Sequence, residues 1–194
     1  MIMAHNASEQ DRVNLGAKKF LMWLFIVSSF IFFAGLTSGY IVYTAGDPSR
    51  GIKMILPKTF LYSTIVIVLS SITMHLAYVA GKRLQFGKQK LMIVATLALG
   101  VVFFILQLST WKTFVAQGIY FVNPNASLSF MYVFIGAHLV HIFAGLMMLL
   151  NVYLGRLMNI PQIKNIYRLE TTAVFWHFID VLWIYLYVFL LLNQ

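Results

Sequence analysis

The segment Thr172–Phe189, TAVFWHFIDVLWIYLYVF, is apolar enough for lipid, yet it carries His177 and Asp180 near its middle. A charged side chain at the bilayer centre costs ~2.5–3.5 kcal/mol on insertion scales, and more when unpaired. At ~100° per residue, Trp176, Asp180, Trp183 and Tyr187 fall on one helical stripe, with His177 at its edge. Glu170 stands seven residues before His177, on nearly the same face and two turns away. Two chemistries fit this spacing. One is a proton or ion relay through Glu170, His177 and Asp180. The other is a buried hydrogen-bonded cluster that locks this helix against its neighbours. Three polar groups do not make a continuous relay, so the cluster is the expectation.

A second constellation is GAHLVHIFAG, beginning at Gly136. Its spacing puts His138, His141 and Gly145 on one face of a helix, with Gly145 permitting close approach by another. Paired histidines at this spacing can ligate a metal or a haem. The chain has five histidines, one of them (His5) in a polar tail, and no cysteine. That is too few for the multi-metal centres of membrane oxidases or di-iron hydroxylases. The lack of cysteine excludes disulfides, thiolate-bound clusters and covalently attached c-type haem. A single haem held by histidines of two helices remains arithmetically open, while packing and hydrogen bonding are the expected roles.

The elements that hold these residues must be membrane helices. Of the 194 residues, 61% are hydrophobic and 10% charged, against ~25% charged in soluble domains. Five stretches have the ~20 apolar residues that a span requires: about 20–43, 60–80, 91–110, 128–154 and 171–192. Barrel-type alternation is absent, so the fold class is all-α: a polytopic five-helix bundle forming a single domain over 20–194. Residues 1–19 form a polar tail without a signal-peptide core, expected to stay on the mature protein. Ten of the fourteen Lys and Arg residues fall on the side of the N-terminus and of the second–third and fourth–fifth connections. This bias predicts an N-in, C-out topology. It also explains the net charge of +9 without invoking nucleic acid.

Each remaining helix has a polar or small seam. The first carries Gly35-Leu-Thr-Ser-Gly39, a small-xxx-small pattern that predicts tight helix contact. The second aligns Thr64, Ser71 and His75, and the third Thr96, Gly100, Phe103 and Gln107. No Walker loop, nucleophile elbow or zincin motif is present.

Taken together, these seams resemble cytochrome c oxidase subunit III, the subunit III family of haem-copper respiratory oxidases. Glu170 through Trp183 is similar to the family's Glu-x6-His-Phe-x-Asp-x-x-Trp signature. Gly136 through Gly145 resembles its Gly-x-His-x-x-His-x-x-x-Gly. Weaker echoes are Phe32 to Leu36, Ser70 to His75, and Gly100 through Gln107 to Trp111. They follow in family order and cover about residues 18–192. The resemblance differs at Ser29 and Thr110, where the family often has glutamates, and it extends only to the last five of the family's seven helices.

The resemblance implies a subunit without a redox centre of its own, with haem and copper in partner subunits I and II. It implies packing on the catalytic subunit, bound phospholipid and support of proton uptake during oxygen reduction, in a bacterial plasma (inner) membrane. The buried polar and family-motif residues are His75, Gln107, His138, His141, Glu170, Trp176, His177, Asp180 and Trp183. Lys19, Arg156 and Arg168, near helix ends, are candidates for lipid headgroups; of these, Lys19 and Arg156 match basic positions beside the family's lipid cleft. The rival readings are a quinol oxidase or nitric oxide reductase subunit, and a small stand-alone proton or ion transporter.

Overall fold

The computed structural model describes residues 2–52, 56–158 and 162–193; within these, the side chains of residues 2–15, 48, 156 and 162–164 are not described. The architecture is helical throughout the described residues: α1 Ile2–Ala45, α2 Thr59–Lys82, α3 Phe86–Ala116, α4 Ala126–Leu157 and α5 Gln162–Leu192, with a 3₁₀ turn at Pro48–Arg50. All five α-helices contain a stretch long and apolar enough to cross a membrane: Gly16–Ala45, Thr59–Lys82, Phe86–Ala116, Ala126–Gly155 and Asn165–Leu192. Helix is the form that satisfies every backbone N–H and C=O internally where water is absent.

The helices outrun the apolar stretches read from sequence. Lys88, Lys90 and Arg168 lie inside helices rather than in loops. Backbone pairing continues through the headgroup region, because hydrogen bonding and not hydropathy ends a helix. The polar segment before residue 20 likewise continues α1.

Helices α2, α3, α4 and α5 close a ring in which each packs on the next, and α1 lies outside against α4 and α5. The α2–α3 connection is three residues long, with Leu84 at φ 57°. Leu84 N–H donates to Gly81 C=O and Gln85 N–H to Ala80 C=O, a tight reversal that satisfies the last carbonyls of α2. At the start of α4, the Asn125 side chain accepts from Ser127 N–H at 3.0 Å, as an N-cap residue should. Ser127 Oγ in turn donates to Arg50 C=O, which ties the α1–α2 connection to the head of α4.

The tightest packing surrounds Trp176. A Cβ added at Gly100 would come within 2.8 Å of its ring, and one at Gly145 within 3.1 Å. These two glycines let α3 and α4 approach α5, since van der Waals fit rather than hydrophobicity drives helix association in lipid. Phe103, Trp183 and Phe60 extend the same core, with Phe60 and Trp183 stacked at 5.7 Å. The Gly35–Gly39 expectation holds for half of the motif. Gly39 meets the Phe130 ring at 3.6 Å, but Gly35 is exposed and has nothing within 4 Å of an added Cβ.

Candidate functional site: a polar seam around α5

Three of the four residues of the stripe read on α5 are buried, and Tyr187 is part-exposed. Trp176, Asp180 and Trp183 are 0%, 3% and 1% exposed. Asp180 lies near the middle of the Asn165–Leu192 span, deeper than a start at residue 171 would put it. Both indole N–H groups find hydroxyls on α2: Trp176 Nε1 donates to Ser70 Oγ at 3.1 Å, and Trp183 Nε1 to Thr64 Oγ1 at 3.0 Å. His177 Nδ1 is 2.7 Å from Ser71 Oγ.

The α2–α3 side is knitted in the same way. Gln107 Nε2 donates to Ser63 Oγ at 2.9 Å, and Thr73–Thr96 and Thr59–Thr110 pair through their hydroxyls, each at 2.9 Å. Helix α2 therefore serves as a hydroxyl ladder for its neighbours. Ser63 is not marked by the sequence reading, and Ser70 enters it only through the weaker echo at Ser70 to His75, although the two stand one heptad apart, as do Thr64 and Ser71. A seven-residue hydroxyl repeat in an apolar helix was the available signal.

Asp180 stands apart from the expected hydrogen-bonded cluster. Its nearest oxygen is 3.9 Å from His177 Nδ1, within reach of charge attraction but too long for a hydrogen bond. Neither carboxyl oxygen has a hydrogen-bond partner among the described residues. Ser71 takes the His177 nitrogen instead, because the α2 backbone brings that hydroxyl closer than i,i+3 spacing brings the carboxylate. Ordered water is the usual partner of such buried groups.

The two histidines of α4 do not converge on one site. His138 is fully buried against Trp183 (ring centroids 5.1 Å apart) and Phe103 (5.7 Å), with no hydrogen-bond partner for either nitrogen among the described residues. His141 turns toward α1. Its Nδ1–H donates to Ala137 C=O at 2.8 Å, and its Nε2 lies 3.1 Å from Ser29 Oγ, with Phe25 and Phe33 beside the ring. A 60° offset on the helix is enough to send the two rings to different neighbours. Among the described residues no three His, Asp or Glu side chains gather as a metal-binding group.

At one end of the seam, Lys19 Nζ pairs with Glu170 Oε1 at 2.9 Å, the side chains being 42% and 35% exposed. Glu170 is thus half-buried, two turns from the α5 core. Arg168 is exposed; the Arg156 side chain lies outside the described residues. His75, expected in the buried seam, is instead exposed, because α2 turns its Ser63, Ser70 and Met74 face inward; its ring is 6.3 Å from that of His177. Two amides that sequence reading passed over, Gln89 and Asn165, are fully buried, with no side-chain partners among the described residues. Both lie outside the apolar spans 91–110 and 171–192 of the sequence, so nothing in the sequence marks them as interior.

The profile of the family described as cytochrome c oxidase subunit III matches residues 3–193. The chain belongs to the cytochrome c oxidase subunit III family. Among its relatives, cytochrome bo(3) ubiquinol oxidase subunit 3 of Buchnera aphidicola (subsp. Acyrthosiphon pisum) is 26% identical over 99% of this chain and 94% of its own length. Cytochrome c oxidase subunit 3 of Bacillus sp. PS3 is 29% identical, over 93% and 88% respectively. Cytochrome bo(3) ubiquinol oxidase subunit 3 of Pseudomonas aeruginosa is 28% identical, over 87% and 81%. Ser29 and Thr110 both make contacts between helices. Ser29 faces His141, and Thr110 closes the contact with Thr59.

Proposed function

We propose that the chain is the accessory, non-redox subunit III of a proton-pumping haem-copper terminal oxidase, packed on its catalytic subunit I beside subunit II. The observation that carries this reading is the family match over nearly the whole chain, joined to a seam in which the signature residues of α5 are engaged in packing. Haem and copper belong to the partner subunits. The relatives are named for two different electron donors at similar identity, 26% and 29%, which fits a subunit that does not touch the donor. The five spans run N-in to C-out in a bacterial plasma membrane, as the basic bias favours. Lys19, Arg156 and Arg168 stand where juxtamembrane bases attract anionic headgroups, at ~1 kcal/mol each. Lys19 does so while paired with Glu170, because its ammonium stays partly open.

A stand-alone transporter would need a passage through the bundle. Trp176 and Trp183 instead fill the core on either side of Asp180. The deciding experiment is a mild-detergent pull-down of the tagged chain with an optical spectrum and a subunit census. The expected result is co-purification of a haem-bearing catalytic subunit, with no haem absorption or stoichiometric copper or iron on the isolated chain. Haem that remains after removal of all partners, or proton conduction by the reconstituted chain alone, would overturn the proposal. A C-terminal reporter active only in the cytoplasm would reverse the topology. Unchanged lipid retention after replacing Lys19 and Arg156 by Gln would remove the headgroup role.

A further inference from the structure

The ionisable side chains deep in the spans differ in what faces them. Asp180 and His138 are buried, and His141 has both ring nitrogens engaged within the chain. His75 and His177 look outward. His75 is exposed, and no hydrogen bond ties its ring to the described residues. The His177 side chain is 37% exposed; its Nδ1 is held by Ser71, and no hydrogen bond to the described residues occupies its Nε2. His177 stands twelve residues into the Asn165–Leu192 span, ~18 Å along the helix. His75 stands seven residues before Lys82, ~10 Å from that end. Both are therefore within the hydrocarbon depth.

Around them the surface is aliphatic: Ile72 and Leu76 on α2 and Val181 on α5 are all exposed. At similar depth, the outer faces of α3 and α4 present Val101, Val102, Val140 and Phe143. Those faces suit acyl chains. An imidazole does not, because hydrocarbon offers its ring nitrogens no partner. Headgroup oxygens lie roughly half of the ~30 Å core away from mid-membrane. A second copy of this chain docked by a two-fold axis would pair imidazole with imidazole, but the accessory-subunit reading supplies a different chain as the neighbour. A different helix with a hydroxyl, amide or carboxyl at this depth meets the requirement, and an apolar rim around a polar centre is the form such a contact takes.

We infer that the α2–α5 face centred on His75 and His177 is the docking surface for a transmembrane helix of a partner subunit, one that presents a hydrogen-bonding side chain to these imidazoles. The inference rests on the accessory-subunit reading and adds the face by which the chain is held.

Photo-crosslinking in the intact complex tests it. The photoreactive residue p-benzoylphenylalanine is placed at Ile72 or Val181 on the proposed face, and at Val101 or Val140 elsewhere. After irradiation in the membrane, the Ile72 and Val181 variants should give an adduct with one other membrane subunit, and the Val101 and Val140 variants adducts with lipid only. Joint His75→Leu and His177→Leu replacement should lower retention of the chain in the detergent-washed complex roughly tenfold, the scale of a lost buried hydrogen bond. The free chain should keep its helical circular dichroism, and His75→Gln alone should retain binding. Adducts from this face with lipid or a second copy only, or unaltered retention of the double Leu variant, would overturn the assignment. A chain that co-purifies with the oxidase but crosslinks to it only from Val101 or Val140 also overturns it, and leaves the accessory reading intact. A chain that co-purifies with no oxidase subunit defeats that reading itself.

Discussion

Gly100 on α3 and Gly145 on α4 both abut the benzene ring of Trp176, whereas Gly35 on α1, in the more conspicuous small-xxx-small motif, faces open space. The difference is not in the glycines. It lies in what stands opposite: a rigid, fully buried indole in one case, no neighbour in the other. A small residue becomes a packing device only when a large one is brought to it, and the bundle brings Trp176 to α3 and α4 but leaves α1 on the periphery. The same contrast holds for the polar contacts. The core seam buries the Trp176–Ser70 pair fully and the Trp183–Thr64 pair in part, while α1 is attached through contacts with part-exposed partners such as Lys19–Glu170 and Thr37–Tyr185.

The sharpest way to break this comparison is to remove the indole. Trp176→Ala should destabilise the folded chain by about 3 kcal/mol, the lower end of the range for large-to-small core changes. In lipid the cavity term survives while the transfer term weakens. Thermal unfolding in mild detergent, followed by the remaining tryptophan fluorescence, measures it; a loss under ~1 kcal/mol would mean that the glycine cradle is not what holds α3 and α4.

Next comes the cradle itself. Gly100→Ala should cost ~1–3 kcal/mol through overpacking, because the Trp176 ring cannot yield at 2.8 Å. Gly145→Ala, at 3.1 Å, should cost less in the same assay. Equal and negligible effects would contradict the packing account.

Asp180→Asn probes the polar side. With no donor committed to the carboxyl among the described residues, assembly should survive with a change of about 1 kcal/mol or less, below the ~1–3 kcal/mol for stranding a buried partner. Yield of the purified complex and its oxygen-reduction rate report this. A fully assembled complex that fails from the first turnovers would make Asp180 a working proton group instead.

The smallest effect belongs to α1. Gly35→Ala has free space and gains helix propensity, so stability should stay level or rise by up to ~1 kcal/mol. A clear loss, read in the same unfolding assay or as reduced complex yield, would show that Gly35 is covered in the assembled complex.

The helical class and the number of spans were legible from the chain alone, because apolar runs of sufficient length leave the backbone no other way to satisfy itself in lipid. The α5 stripe was legible too, since helical period alone puts Trp176, Asp180 and Trp183 on one face. Span ends were less so: hydrogen bonding carries α3 and α5 past the last apolar residue, which hid Gln89 and Asn165 in presumed loops. Partner choice was decided only by the tertiary structure. Periodicity ranks residues around one helix but is silent on the rotation and depth of its neighbours. Those settled that Ser71 rather than Asp180 takes the His177 nitrogen, that His138 and His141 part company, and that Trp176 rests on Gly100 and Gly145. Each choice depends on differences of an ångström or so between side chains distant in sequence, a scale that only close packing fixes.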